Sequence, residues 1–276
     1  MREQTVRSGL IYLGAAVASL FFLTPVLYMV LIGFCRTPDL LAAPGHTLFT
    51  LQNYLSVLSD NNLHFMEYLR NSIVVSALSA VACVAVASLA AFAITRFPIP
   101  GKMSLLFGVL AVSMFPQICL VSYLFRFMSG IGWINTLPGL IFPYIAWALP
   151  LSLWILVSYF SKIPKGLDKA AIVDGCTPWQ TLYKVILPVA APGIFSTLLL
   201  AFIFSFNEFM FALMLTTDYR SRTVPVGIAL FQGLHGEIPW GEIMAVSALT
   251  TAPVILCTII FQRAVVQGLT RGALKG

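Results

Sequence analysis

Few side chains in this sequence could do chemistry, and they form no catalytic or metal-binding pattern. An intramembrane enzyme would need paired His, Asp or Glu residues within apolar segments, and Glu208 is the one acid found inside such a segment. No glycine-rich loop followed by lysine, the pattern that cradles phosphates, is present. We therefore expect no catalytic residue, no metal site and no cofactor bound by this chain. The cysteines are too far apart to suggest a disulfide framework: Cys35, Cys83, Cys119, Cys176 and Cys257.

The polar residues concentrate in one stretch, Ser161 to Pro192, which holds six of the twenty-six charged residues. Its first part predicts a short helix in which Leu167, Ala170, Ala171 and Asp174 share one face, at helical spacing. Two alanines at the centre of that face would let another backbone or a groove wall come close. Gly175 is expected to end this helix.

The second part of the stretch predicts another helix. Thr177 is a capping residue, Pro178 suits the first helical position, and Gln180 completes a capping box. We expect Pro188 to close this helix. Its apolar side is formed by Trp179, Leu182, Tyr183 and Ile186.

Composition identifies an integral membrane protein. The 276 residues are 59% hydrophobic and only 9% charged, whereas soluble domains carry about 25% charge. The apolar runs are long and do not alternate, which predicts an all-α protein rather than a barrel. The net charge of +6 comes from scattered residues at segment ends, so we expect no nucleic-acid partner.

Six apolar segments are long enough to span a membrane. The second one carries two series of small residues at every fourth position, which predicts close helix packing: Ser72, Ser76 and Ala80, and then Cys83, Ala87 and Ala91. A short interfacial helix is predicted over Leu48–Leu58, and Pro116 should kink the third span. The predicted spans are Gly9–Phe34, Asn71–Thr95, Met103–Arg126, Leu140–Phe160, Gly193–Thr216 and Met244–Val265.

Six spans place both termini on one side of the membrane. If that side is the cytoplasm, eleven Lys and Arg residues lie inside and five lie outside. This bias follows the positive-inside rule. It also places the Ser161–Pro192 stretch in the cytoplasm.

Asn207 and Glu208 are polar residues within the predicted fifth span. A carboxylate in the hydrocarbon core is costly unless it faces a cavity, has a partner or is protonated. Two interpretations stay open: these residues line a translocation path, or they make an interhelical hydrogen bond. An ion-coupled secondary carrier that uses Glu208 is an alternative function.

The pairs Ala170-Ala171, Asp174-Gly175 and Leu187-Pro188 resemble the cytoplasmic EAA loop of permease subunits in ATP-binding-cassette importers. In that family the loop forms a coupling helix that docks on the ATPase. The resemblance implies an ATPase-coupling role for these six residues and for Asp168. One difference is that Lys169 stands where the family has glutamate, and the acid Asp168 lies one residue earlier.

The resemblance extends from about residue 9 to the end and is greatest to the shorter, six-helix permease subunit of maltose-type importers. Motifs in the same order carry it, including Arg96-Phe97, Asn135-Thr136, Asn207-Glu208-Phe209 and Trp240-Gly241. It implies a type I importer permease fold in a single domain, residues 1–276, with a coupling loop at 161–190 and a cytoplasmic tail at 267–276.

The function implied is the permease subunit of an ATP-driven sugar importer in a bacterial or archaeal inner membrane. Its partners would be membrane lipid, a second permease subunit, two ATPase subunits that bind ATP and Mg²⁺, and an extracytoplasmic solute-binding protein. Glycerol phosphate or a polyamine are alternative substrates within the same class.

Overall fold

A computed structural model of the chain describes residues 2–35, 49–60, 63–231 and 238–273, and the side chains of 8–35, 49–60, 63–231 and 238–262. Within these ranges the protein is helical, and its β-type pairing is one isolated bridge between Cys35 and Phe49. The all-α prediction is confirmed.

Among the described residues, five helical segments are long and apolar enough to cross a membrane, and a bent pair makes a sixth if it is one span. The helices are α1 (Arg2–Gly33), α2 (Gln52–Ser59), α3 (Phe65–Arg96), α4 (Lys102–Ser113), α5 (Gln117–Gly130), α6 (Leu137–Ser161), α7 (Gly166–Val173), α8 (Pro178–Thr181), α9 (Leu187–Phe206), α10 (Met210–Leu215), α11 (Val224–Ala229) and α12 (Trp240–Ala273).

The helices form two compact units: Met1–Met66 with Ile228–Ala252, and Glu67–Gly227 with Pro253–Gly276. In the first unit, α2 packs on the end of α1. The Asn53 side-chain amide donates to the Gly33 and Cys35 carbonyls at 3.0 and 2.9 Å. These bonds satisfy carbonyls that a helix end leaves without partners. The short helix predicted over Leu48–Leu58 is present as α2, which begins later, at Gln52, and ends at Ser59, while Leu48 lies outside the described residues.

Small residues on α3 give the second unit its close packing. Six of them, spaced as the sequence predicts, are all buried: Ser72, Ser76, Ala80, Cys83, Ala87 and Ala91. Three of them, Ala80, Ala87 and Ala91, belong to the same apolar core as Leu156, Phe160 and Phe202, which are large side chains of α6 and α9. Small side chains let helix backbones approach closely in lipid, where dispersion replaces the hydrophobic effect as the source of stability.

The third predicted span is bent more sharply than expected. Helices α4 and α5 meet at 86° across residues 114–116. Pro116 has an extended backbone (ψ 127°) directly before α5. Because proline supplies no N–H and its ring displaces the preceding turn, it separates two helices here instead of kinking one.

The fifth predicted span, Gly193–Thr216, was wrong at both ends. Helical structure begins at Pro178 and runs to Phe206, and a separate short helix, α10, follows after a break. The sixth predicted span likewise begins earlier, at Trp240, and residues 267–273 of the predicted tail continue α12.

The stripe of small residues predicts a matched pair of variants. Ala87 is fully buried, whereas Ala85 on the same helix is exposed. Ala87→Leu should destabilise the purified chain by about 1–3 kcal/mol through overpacking. Ala85→Leu should leave its thermal unfolding temperature in detergent within a degree or two of wild type, on the order expected for a surface change. Equal effects of the two variants would contradict the packing described.

Candidate functional site

The candidate site is the loop of residues 161–190, which joins α6 to α9 through α7 and α8. Ile163 is buried before α7 begins, and Leu182 and Ile186 are buried after α8 ends. All three belong to the main apolar core of the second unit, together with Phe160. The loop is therefore anchored in the core at both ends.

The turn between α7 and α8 is closed by two capping motifs. Gly175 has φ +82°; its N–H donates to the Ile172 carbonyl at 3.0 Å, and the Cys176 N–H donates to the Ala171 carbonyl at 2.9 Å. This pair of bonds is a Schellman motif, which requires the left-handed conformation that glycine adopts without strain. Gly175 thus ends α7, as the sequence predicts.

The capping box at the start of α8 is also present. The Gln180 backbone N–H donates to Thr177 Oγ1 at 3.3 Å, and the Thr177 N–H donates to Gln180 Oε1 at 2.9 Å. Each motif satisfies backbone groups that a helix end would leave unpaired. The helix–turn–helix therefore has a defined shape without a partner.

Pro188 does not close the second helix, so that prediction was wrong. Residues Leu182–Ile186 form a π-helical turn, and the Leu187 N–H donates to the Leu182 carbonyl five residues earlier. A proline ring clashes with the carbonyl four residues before it. The wider π turn makes room for Pro188, and the chain continues into α9.

The structure brings the proposed coupling residues of α7 together but points them in different directions. Ala170, Asp174 and Gly175 are exposed, whereas Ala171 is 5% exposed and packs inward. A larger side chain at Ala171 would disturb the loop itself and not only a docked partner. Leu187 is half-buried and Pro188 is exposed, both at the start of α9.

Asp168 lies on the inward side of α7 and forms an ion pair with Arg96, the last residue of α3. Arg96 Nε and Asp168 Oδ2 are 3.0 Å apart, and the two side chains are 7% and 16% exposed. The N–H is not aligned with the oxygen, so the contact is ionic rather than a well-formed hydrogen bond. Arg96 Nη2 also donates to the Ile163 carbonyl at 3.3 Å. Arg96 therefore joins the end of α3 to two points of the loop.

Asn207 and Glu208 lie at the break between α9 and α10. The Glu208 carboxylate is 7% exposed and accepts hydrogen bonds from the Phe211 and Ala212 N–H groups at 2.9 and 3.2 Å. It thereby caps α10. Asn207 is exposed, and its side-chain amide donates to the Ile203 carbonyl at 2.8 Å. Because the helix is broken here, the adjacent residues Asn207 and Glu208 differ in exposure: Asn207 is exposed and Glu208 is buried.

Tyr144 of α6 supports the same break. Its hydroxyl is buried beside the Glu208 carboxylate and near the Thr223 hydroxyl, although the geometry of neither contact is that of a strong hydrogen bond. The Tyr144 hydroxyl is therefore a polar neighbour of the buried Glu208 carboxylate within an apolar bundle. Glu208 consequently links α10 to α6, and Tyr144 of α6 in turn lies near Thr223 in the segment before α11.

Asn135 connects two segments at the same end of the bundle. Its Oδ1 accepts hydrogen bonds from the Thr217 and Asp218 N–H groups at 2.6 and 3.0 Å, and its Nδ2 donates to Thr217 Oγ1 at 2.8 Å. Asn71 similarly donates to the Arg220 and Arg222 carbonyls at 2.8 and 3.0 Å. These polar contacts set the positions of residues 216–224, which directly follow α10.

The two groups of proposed site residues are separate. Leu187 and Glu208 stand near opposite ends of α9, whose 20 residues correspond to about 30 Å. One group therefore lies at each end of a membrane-length helix. Among the described residues, no three His, Cys, Asp or Glu side chains come close enough to hold a metal ion.

Sequence reasoning missed three of the residues that hold these sites in place: Arg96, Tyr144 and Asn135. Arg96 and Asn135 were noted only as parts of the motifs that resemble the family, and no spacing rule relates Arg96 to a carboxylate 72 positions away. Asn135 has φ +61°, and an asparagine among glycine and polar residues between two spans is the available signal for such a turn.

Several membrane-length helices, with a helix–turn–helix loop anchored in the core at one end of the second unit, define a polytopic membrane protein. Residues 84–271 match the family described as binding-protein-dependent transport system inner membrane component. The chain belongs to this family, and it is a multi-pass permease subunit of an ATP-binding-cassette importer rather than an enzyme.

Curated relatives agree with this assignment, one of them over the whole chain. The trehalose/maltose transport system permease protein MalG of Thermococcus litoralis is 52% identical over 277 residues, covering 100% of both chains. The trehalose transport system permease protein SugB of Mycobacterium tuberculosis is 43% identical and covers 82% of both chains.

A solved structure supports the fold. A bacterial ABC transporter involved in the import of the acidic polysaccharide alginate contains a chain that matches with a TM-score of 0.75. The match covers 95% of this chain and 98% of that chain at 19% identity. The fold is thus that of an importer permease.

The Arg96–Asp168 ion pair predicts a local loss of stability. Removing one partner leaves a buried charge uncompensated, which costs about 3–5 kcal/mol. Asp168→Ala should therefore loosen the loop and speed tryptic cleavage at Lys162, Lys165 and Lys169 in the purified protein. Asp174→Ala, at an exposed acid of the same loop, is the matched control and should be cleaved at the wild-type rate.

The double variant Arg96→Met/Asp168→Leu distinguishes the effect of an unpaired buried charge from the effect of lost side-chain packing. Replacing both charges with apolar groups of similar volume should recover much of the resistance to trypsin, since no unpaired charge is then left buried. Wild-type cleavage rates in Asp168→Ala would contradict a structural role for the pair.

Proposed function

We propose that this chain forms half of the translocation path of an importer for a di- or oligosaccharide. The observation that carries the substrate class is the 52% identity, over the full length, to a trehalose/maltose permease. A second relative named for trehalose transport points to the same class. The sugar would be delivered by an extracytoplasmic solute-binding protein, in keeping with the family description.

The energy would come from two ATPase subunits that bind ATP and Mg²⁺. The support from this chain is the exposed surface of α7. Val173 and Ile172 are 86% and 63% exposed, although both are aliphatic and sit on a helix with a fixed shape. Adjacent exposed apolar side chains are characteristic of surfaces that a partner covers. We assign this surface to the ATPase.

The docking of α7 on the ATPase suggests how ATP would drive the path to open alternately to each side of the membrane. An ATPase that closes on nucleotide would displace α7 as a rigid body, because the loop is capped internally and anchored in the core by Ile163, Leu182 and Ile186. The displacement would reach α3 through Arg96 and α9 through the continuous helix after α8. Conformational changes of this kind commonly occur by hinge and shear motions of packed helices.

The proposed complex contains a second permease subunit, which completes the path. In the proposed orientation, both termini and the 161–190 loop lie in the cytoplasm. The excess of basic residues on that side supports it. The break at residues 207–209 then lies toward the extracytoplasmic end, where substrate would enter from the binding protein.

Asn207 and Glu208 are proposed to have distinct roles at the path. Asn207 is exposed and would present its side chain to substrate, whereas Glu208 is buried and holds the break open by capping α10. Asn207→Ala should raise the sugar concentration needed for half-maximal uptake. Glu208→Gln keeps one acceptor oxygen, and so should allow assembly while lowering the maximal rate of uptake. Wild-type uptake by both variants would remove these residues from the path.

The docking assignment predicts the effect of a paired substitution on α7. Ile172→Asp/Val173→Asp places charges where the proposed ATPase contact is apolar, and both side chains are exposed in this chain, so folding should be unaffected. The ATPase should no longer co-purify with the permease pair, and uptake in proteoliposomes should fall to background.

Ile131→Asp is the control for that experiment. Ile131 is also exposed but follows α5, away from the loop. This variant should retain the ATPase. Retention of the ATPase by the α7 variant would refute the docking assignment.

The proposed function as a whole is tested by reconstitution. The permease pair, the ATPase and the binding protein should hydrolyse ATP faster when trehalose or maltose is supplied with the binding protein. Stimulation by glycerol phosphate or a polyamine, and not by sugars, would contradict the substrate class.

A further inference from the structure

The exposed side of α7 carries positive charge as well as aliphatic side chains. Lys165, Lys169 and the pair Ile172–Val173 follow one another at intervals of four, three and one residues, which places them on one face. Each of the four is exposed. The face therefore has a basic end and an apolar end.

The acid closest to this face does not neutralise it. Asp168 is turned inward and paired with Arg96, so its charge is already compensated. Between residues 161 and 184 the exposed charges are four lysines and one aspartate, giving +4 − 1 = +3: Lys162, Lys165, Lys169, Lys184 and Asp174.

The arrangement gives no benefit to the isolated chain. Lys165 and Lys169 are like charges four residues apart, which destabilises a helix slightly. Lys165 also stands at the amino end of α7, where the helix dipole disfavours cations. These charges lower the stability of the chain when it has no partner. A partner of opposite charge would suit a surface that combines exposed cations with exposed aliphatic residues.

We propose that the ATPase cleft that receives α7 has an apolar floor for Ile172 and Val173 and a carboxylate-bearing rim opposite Lys165 and Lys169. The proposal rests on the function proposed above, in which α7 docks on an ATPase. It adds that the docking surface of the ATPase is negatively charged. This charge would allow the permease to bind one ATPase in preference to another.

The test is charge reversal in the full-length permease pair with its own ATPase. Lys169→Glu should lower the affinity for the ATPase at least about tenfold at low salt, because like charges are then placed together in the contact. Lys169→Arg should retain wild-type affinity. Raising the salt concentration should lower the affinity of wild type for the ATPase but should not lower that of Lys169→Glu further. Lys102→Glu, at an exposed cation outside the loop, is the matched control and should bind normally.

A compensating substitution in the ATPase would identify the carboxylates that contact Lys169. Reversal of an Asp or Glu on the cleft rim of the ATPase to Lys should restore the attachment of Lys169→Glu to within about threefold of wild type, as expected for a directly coupled pair. The rate of tryptic cleavage at Lys162 and Lys165, the loop sites that this variant keeps, reports whether Lys169→Glu has altered the fold of the loop.

Three results would overturn the proposal: equal affinity of Lys169→Glu and wild type at every salt concentration, tighter binding by Lys169→Glu, or a loss seen only in binding to anionic lipid vesicles. The last would assign the lysines to the membrane surface. Failure of wild-type permease to retain an ATPase under any condition would instead contradict the proposed function itself.

Discussion

The ion pair between Arg96 and Asp168 is the contact on which the account of this permease depends. It joins the last residue of a membrane-length helix to the first turn of α7. Both charges are largely removed from solvent, so neither can move without leaving the other uncompensated, and the two helices are constrained to move together. The same contact turns the acid of α7 away from its outer face. The ion pair thus adds to the capping motifs and core contacts that fix the loop, and it accounts for the net positive charge of the surface that the loop exposes.

Local signals in the sequence were sufficient to predict the loop's shape. Gly175 and the Thr177–Gln180 capping box act within a few residues of each other, and their geometry depends little on the rest of the fold. The stripe of small residues from Ser72 to Ala91 was predictable for a related reason. A helix among other helices in lipid needs small side chains at its contacts, and their spacing is visible in the chain.

Contacts between distant residues could not be predicted in this way. Arg96 and Asp168 are far apart in sequence, and either could equally have been a solvated surface charge. Pro188 was misjudged because a π turn, which leaves no clear sequence signal, absorbs the clash of its ring. Glu208 was recognised as unusual, but its burial and capping of α10 depend on a helix break that hydropathy alone does not reveal. Ala171 matched a known pattern, although the structure turns it inward.

A photo-crosslinking amino acid at position 173 tests the central claim most directly, because Val173 is the most exposed of the large apolar residues of α7. In intact cells that express the whole transporter, irradiation should join the permease to an ATPase subunit. The same group at exposed position 220, beyond the opposite end of α9, should never do so. Crosslinks from position 173 to an extracytoplasmic protein, or ATPase crosslinks from position 220, would contradict both the orientation and the role given to the loop.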